Sequence, residues 1–127
     1  MTYIPMSDMF DMVCEFHNKM GIEHDLEIED QASIDLRLRL ILEEYKELVG
    51  AVGGQDRPAN RQAVADALGD ILYVVLGAAD IWCIDIDRVF AEIHRSNMTK
   101  EPGHKRADGK IMKGPNYSPP DLSFVGE

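Results

Sequence analysis

Cysteine is scarce in this chain: Cys14 and Cys83 are the two present among 127 residues. Two thiols so far apart build neither a disulfide framework nor a CxxC metal site, and they read as small buried residues of a cytosolic protein. Long apolar runs are missing too. The longest uncharged apolar stretch, residues 71–79, falls well short of the ~20 residues that span a bilayer, so no membrane partner is expected. Asp8 and Asp11 stand where a signal peptide would need its apolar segment, which points to a cytoplasmic protein. Positive charge is also in short supply. A net charge of −10 argues against duplex nucleic acid as a partner. There is no P-loop, GxGxxG, HExxH or Ser/His/Asp pattern, and Gly53-Gly54 reads as a helix stop and not as a phosphate cradle.

What is present is helical patterning in one domain-sized chain. A first helix is expected from Ser7, as its N-cap, to Met20, with Phe10, Val13, Cys14 and Phe16 toward a core and Gly21 as its stop. A polar connector over 22–30 follows. The second helix is expected over 31–52, where Leu38, Ile41, Leu42, Tyr45, Leu48, Val49 and Val52 recur at helical spacing. A loop over 53–59 leads to a third helix, with Asp56 as a candidate cap and Pro58 in the first turn. That helix runs to about Trp82 and is apolar almost all round over 71–79. So much apolar surface on one helix predicts a bundle completed by a second subunit. A fourth helix starts at Asp85 as N-cap, with Ile84 and Val89 as a hydrophobic staple, and ends near Lys100. His17 and His94 read as core or boundary residues, and Tyr73 and Trp82 as core. Six glycines and prolines between Gly103 and Pro120 exclude another long helix, so the tail is expected to be extended. The division expected is an all-α domain over 1–102 and a basic, Pro/Gly-rich tail over 103–127.

Chemistry concentrates in two acidic clusters, Glu43-Glu44-Tyr45-Lys46-Glu47 and Asp66-Ala67-Leu68-Gly69-Asp70. Residues three or four apart on a helix share a face, so Glu44 points with Glu47, Glu43 with Glu47, and Asp66 with Asp70. Gathering such carboxylates between two helices costs several kcal/mol per ion unless a cation compensates. All-oxygen ligation points to Mg²⁺ or Mn²⁺. The basic residues gather elsewhere. Arg95, Lys100, Lys105, Arg106, Lys110 and Lys113 give residues 94–113 a local charge of +4, against −14 on the rest. An acidic, metal-competent body with a basic segment suits a polyanionic ligand such as a phosphate chain. A solvated basic tail balancing an acidic body is the plainer reading of the same charges.

The order Glu-Glu-x-x-Glu, then an acidic pair running into Asp70-Ile71-Leu72-Tyr73-Val74, resembles the all-α nucleoside triphosphate pyrophosphohydrolases. That group holds the MazG-like proteins, the dimeric all-α dUTPases and phosphoribosyl-ATP pyrophosphohydrolase. Glu15-Phe16-His17, the segment from His94 to Lys100, Arg106-Ala107-Asp108-Gly109-Lys110 and Lys113-Gly114-Pro115 place the likeness between the MazG and phosphoribosyl-ATP branches. The resemblance implies a four-to-five-helix MazG-like bundle, completed as a homodimer or tetramer. It also implies Mg²⁺-dependent cleavage between the α and β phosphates of a nucleoside triphosphate, giving a monophosphate and pyrophosphate in nucleotide-pool house-cleaning. Carried over by position, Glu44, Glu47 and Asp70 match metal ligands. Glu43 matches a glutamate that binds a second metal or orients the attacking water. Asn97 and Lys100 match positions near the phosphates, with Arg95, Arg106, Lys110 and Lys113 as further phosphate contacts. Where the family pattern has Glu-x-x-Asp, this chain has Ala67 three residues before Asp70, and Asp66 is the substitute. Phosphoribosyl-ATP hydrolysis in histidine synthesis is the alternative enzyme reading. A non-catalytic helical nucleotide-binding or regulatory dimer is the alternative of another class.

Overall fold

The computed structural model describes the backbone of residues 6–54 and 58–126, and the side chains of residues 8–54 and 58–126. Asp56 lies outside the described residues. Four helices and no strand occur among those described, the all-α fold expected: α1 (Met6–Met20), α2 (Gln31–Ala51), α3 (Arg61–Ile81) and α4 (Ile86–Asn97). None of them is long and apolar enough to cross a membrane. Two compact units divide the chain, one ending at Ile84 and one beginning at Asp85, so that α4 goes with the tail.

In the first unit α3 is the central helix, packed by both α1 and α2. Its composition explains why. Residues 76–81 are buried throughout, and Gly77, Ala78 and Ala79 give neighbouring helices a close approach. Val13 and Ala67 supply the rest of the buried apolar core. α2 begins at Asp30, whose carboxylate accepts the Ala32 amide at 3.2 Å. α3 begins at Asn60, whose side chain accepts the Ala63 amide at 3.1 Å. Asn60 thus takes the capping role, and Pro58 precedes the helix instead of sitting in its first turn. α1 begins at Met6, one residue before Ser7, the N-cap expected there. The connector between α1 and α2 is pinned by the Asp25 amide, which donates to the Ile81 carbonyl at 2.7 Å. The Asp25 carboxylate in turn accepts the amides of Glu29 and Asp30 at 3.0 and 3.1 Å. Between them Ile28 adopts φ +53°, a left-handed conformation that a β-branched residue rarely takes.

Two expected core aromatics stay on the surface. Phe16 is 41% exposed and Tyr73 40%, meeting edge to face at 5.8 Å. Phe16 comes from α1 and Tyr73 from α3. On α2, Leu38, Leu42, Tyr45, Val49 and Val52 form an exposed row at heptad-like spacing. The two cysteines differ. Cys14 is half-buried, whereas Cys83 is exposed in the turn after α3 with φ +53°.

In the second unit Asp85 caps α4, its carboxylate accepting the Arg88 amide at 3.2 Å. The helix stops at Asn97, three residues before the end expected, because the Met98 and Thr99 amides turn back to His94 and Ser96. The following segment is not simply extended. Residues 104–112 form a tight hairpin around a single Lys105–Ile111 bridge, with Gly109 at φ +91°. The chain then returns along α4 and ends in a short 3-10 helix, Ser123–Gly126. Buried Ser96 anchors the return, donating to the Ser118 carbonyl at 2.8 Å, while Thr99 Oγ1 accepts the Ser118 amide at 2.8 Å.

Candidate active site

The α2–α3 packing brings Glu44, Glu47 and Asp70 together, with one carboxylate oxygen from each inside a 4.8 Å group. Glu44 and Glu47 come from one face of α2, a turn apart, and Asp70 faces them from α3. Glu44 Oε2 is buried with no hydrogen-bond donor. Burial raises the Glu44 pKa above the ordinary carboxylate range, a hydrogen bond shared with Glu47 raises it further, and the charges of Glu47, Asp70 and Glu43 add to that. An orphaned buried oxygen among like charges fits a hard divalent cation, which would supply the missing positive partner to all three carboxylates. Glu43 is exposed on the next position of α2, close enough to act on Glu44 by charge. Asp66 is exposed one turn before Asp70 and is not in the 4.8 Å group, and Ala67 is buried in the core.

The basic and amide residues lie in the second unit. Asn97 and Lys100 line a cleft of about 620 Å³ together with Glu101, His104, Lys105 and Ile111. Arg95 has its donors engaged. Its guanidinium makes two bonds to Glu92, at 2.7 and 3.0 Å, and reaches Ser118 Oγ at 3.1 Å and the Pro119 carbonyl at 3.0 Å. Arg106 pairs with Asp108 across the hairpin turn. Lys113 Nζ sits 5.1 Å from the Tyr117 ring centroid, and Lys110 is exposed. His94 is exposed on α4 and not in a core.

Sequence reasoning missed a buried polar cluster in the first unit. Asp80 on α3 accepts from His17 Nδ1 at 2.7 Å, His24 Nε2 at 3.1 Å and the Cys14 thiol at 3.3 Å. Burial alone would raise the Asp80 pKa; the three hydrogen bonds outweigh it and leave it below the usual range. The Cys14 thiol is pushed up to about 11 by burial and then by Asp80. Arg37 on α2 is buried nearby, 6% exposed, and burial lowers its pKa. A Cβ added to Gly77 would lie 3.3 Å from His17 Cε1 and 3.6 Å from Arg37 Nη1, so glycine lets both side chains approach α3. The available signals were an acid at 80, in the most apolar helix, and an arginine on the same helix face as Glu44, two turns earlier.

Residues 13–97, which contain all three clustered carboxylates, match the phosphoribosyl-ATP pyrophosphohydrolase family. An uncharacterized protein of Acanthamoeba polyphaga mimivirus is 37% identical over 84 residues, covering 61% of this chain and 32% of that protein. The chain therefore spans about a third of the length of the curated relative it matches. With the family match over most of the chain and an all-α fold that sets Glu44, Glu47 and Asp70 face to face, the chain belongs to the phosphoribosyl-ATP pyrophosphohydrolase family, within the all-α MazG-like nucleotide pyrophosphohydrolases.

Proposed function

We propose that this protein is a Mg²⁺-dependent nucleoside triphosphate pyrophosphohydrolase that cleaves between the α and β phosphates, releasing a monophosphate and pyrophosphate. The observation that carries this reading is the Glu44–Glu47–Asp70 group with its unpartnered buried oxygen. Glu44, Glu47 and Asp70 would hold the ion. Bound there, it supplies a lowered pKa for a water and neutralises phosphate charge. Glu43 is assigned to accept the proton of the attacking water, because it is a free carboxylate beside the cluster. Asp66 is assigned to reach the ion through a water. Asn97 and Lys100 are assigned to phosphate oxygens, with Lys110 and Lys113 as further contacts. Arg95 and Arg106, already paired with Glu92 and Asp108, hold the tail and the hairpin.

The exposed row on α2 and the uncovered Phe16–Tyr73 pair support a homodimer, since a contiguous apolar face of this kind marks an interaction surface. The family description favours a second substrate, phosphoribosyl-ATP, whose cleavage breaks the same type of bond. Purified protein with Mg²⁺ and a panel of NTPs, dNTPs and phosphoribosyl-ATP, with products separated, tests both. Monophosphate plus pyrophosphate from canonical nucleotides supports the main reading. Turnover of phosphoribosyl-ATP alone selects the second, and diphosphate plus phosphate refutes the cleavage position.

A further inference from the structure

Three basic side chains without a counter-charge share one cleft in the second unit. The cleft of about 620 Å³ is lined by Asn97 and Lys100, where α4 ends, and by His104 and Lys105, where the hairpin starts. That volume is within the usual range of small-ligand pockets, ~300–1,000 Å³. Among the described residues, the side chains of Lys100, His104 and Lys105 make no hydrogen bond and no ion pair. Glu101, the acid among the lining residues, has its Oε1 engaged by the Asn116 amide at 2.5 Å.

Local structure holds these groups in place. The Met112 amide donates to the His104 carbonyl at 2.6 Å, and the Lys105–Ile111 bridge closes the base of the hairpin. The His104 ring then lies against Gly114. A Cβ added to Gly114 would come within 3.0 Å of His104 Cδ2 and 3.2 Å of Nε2, although the glycine's own φ is not left-handed. Glycine at 114 therefore serves as a seat for the imidazole and not as a turn. On the other wall, the carbonyls that end α4 are already taken. Those of Ser96 and Asn97 accept the Thr99 and Lys100 amides at 3.0 and 3.1 Å, so neither is left bare to repel an anion.

We infer that this cleft binds a pyrophosphate group without a metal ion, with Lys100 and Lys105 supplying charge and Asn97 and His104 supplying N–H donors. Pro102 and Ile111 line it as apolar walls, which exclude water and strengthen each charged contact. Two linked phosphates suit it better than one, because the donors come from two separate stretches of chain. A divalent cation suits it poorly, since both lysines would repel it. Gly114 is a positioning residue that acts through His104. Two sources share this chemistry: the phosphate end of a nucleotide, and free pyrophosphate. The inference rests on the nucleotide reading above for the source alone. It goes beyond that reading in adding His104, Lys105 and Gly114 and in making this part of binding independent of metal.

The test uses the full-length protein in EDTA, with inorganic pyrophosphate as the calorimetric probe. One site is expected, weakened ~10- to 100-fold by Lys105→Met and by His104→Leu, each the loss of a charge-assisted hydrogen bond. Both residues are exposed, so neither variant should unfold. Inorganic phosphate should bind at least about tenfold more weakly than pyrophosphate on the same scale. Gly114→Ala removes no donor, yet it should weaken pyrophosphate binding by shifting the His104 ring. It should add nothing to His104→Leu in the double variant, and full additivity would overturn the positioning role. Absent binding in EDTA, or equal affinity in wild type, Lys105→Met and His104→Leu, overturns the proposal. Turnover assays with Mg²⁺ separate the two sources. If Lys105→Met raises both the nucleotide KM and the Ki of pyrophosphate, the nucleotide's own end occupies the cleft; if it raises Ki alone, free pyrophosphate does. The two readings also fail differently: pyrophosphate binding in EDTA without turnover sinks the function reading alone, and turnover without such binding sinks this one.

Discussion

Arg95 and Glu92, one turn apart on α4, form a two-point ion pair whose outer atoms hold the returning tail. Arg95 donates to Ser118 Oγ and the Pro119 carbonyl, and Glu92 accepts the Asp121 amide at 2.6 Å. The pair is exposed, where an isolated salt bridge contributes little, but here it joins two stretches of chain far apart in sequence.

Breaking this junction should release the tail without unfolding α4. Arg95 and the Asp121 amide push the Glu92 pKa down to about 2 from its ordinary 4.5. A lowered folded pKa stabilises above the unfolded value and fades as pH falls through the folded one. Tail anchorage should therefore be complete above about pH 4.5 and lost progressively toward pH 2. Amide hydrogen exchange at 117–124 is the readout, and Glu92→Gln should expose the same amides at neutral pH. Unchanged protection in Glu92→Gln would mean that Ser96 and Thr99 hold the tail unaided.

Metal binding should be proton-linked through Glu44. Its raised folded pKa means that the metal-free protein is favoured at low pH and loses that stabilisation as pH rises through the folded value. A cation reverses the balance by binding the ionised form. The rise in Tm on adding Mg²⁺ or Ca²⁺ should accordingly be larger at pH 7.5 than at pH 5. Glu44→Gln should remove both the shift and its pH dependence. Differential scanning fluorimetry across pH measures both, and an equal Tm shift at the two pH values would contradict the linkage.

Asp70 and Asp66 should behave differently although both are acids on one face of α3. Asp70→Asn removes a member of the 4.8 Å group and is expected to abolish measurable Mg²⁺ binding. Asp66→Asn, acting through a water, should weaken it by ~10-fold, the low end for residues that support metal ligands indirectly. Calorimetry on both variants decides, and a reversed order would put Asp66 in the inner coordination.

Asp80 holds His17, His24 and Cys14 together, so Asp80→Leu should destabilise the fold by about 1–3 kcal/mol through the unpaired buried groups it leaves. Its folded pKa lies below the ordinary 3.8, so this stabilisation is present above pH ~4 and falls away as the medium is acidified through the folded value. Urea unfolding of wild type and Asp80→Leu from pH 3 to 7 should give curves that converge at the acid end. A constant gap would show that packing alone is at stake.

The helices, the Asp85 cap and the carboxylates of α2 were legible because helical spacing alone places Glu44 beside Glu47. The contact of both with Asp70 needed two helices to be antiparallel, which the order of the motifs implied. The rest depended on long-range encounters. Asp80 meets His17 and His24 across more than fifty residues, and no local pattern announces a partner that distant. Arg95 looked like a free phosphate ligand although Glu92, one turn earlier on the same helix, is a local competitor; the Ser118 and Pro119 groups it also reaches become neighbours only when the chain turns back at the Lys105–Ile111 hairpin. Asn60 caps α3 by offering a side-chain acceptor to the Ala63 amide, so the helix starts after Pro58, which was expected in its first turn.

The unequal cysteines make the native chain a ready substrate for site-selective labelling. At neutral pH the Cys14 thiol, held up to about 11 and half-buried, carries almost no reactive thiolate, while Cys83 stands open in the turn after α3. A single equivalent of maleimide dye should land on Cys83, read out as one modified peptide by mass spectrometry. That dye would report on changes in the turn after α3 without any engineered mutation.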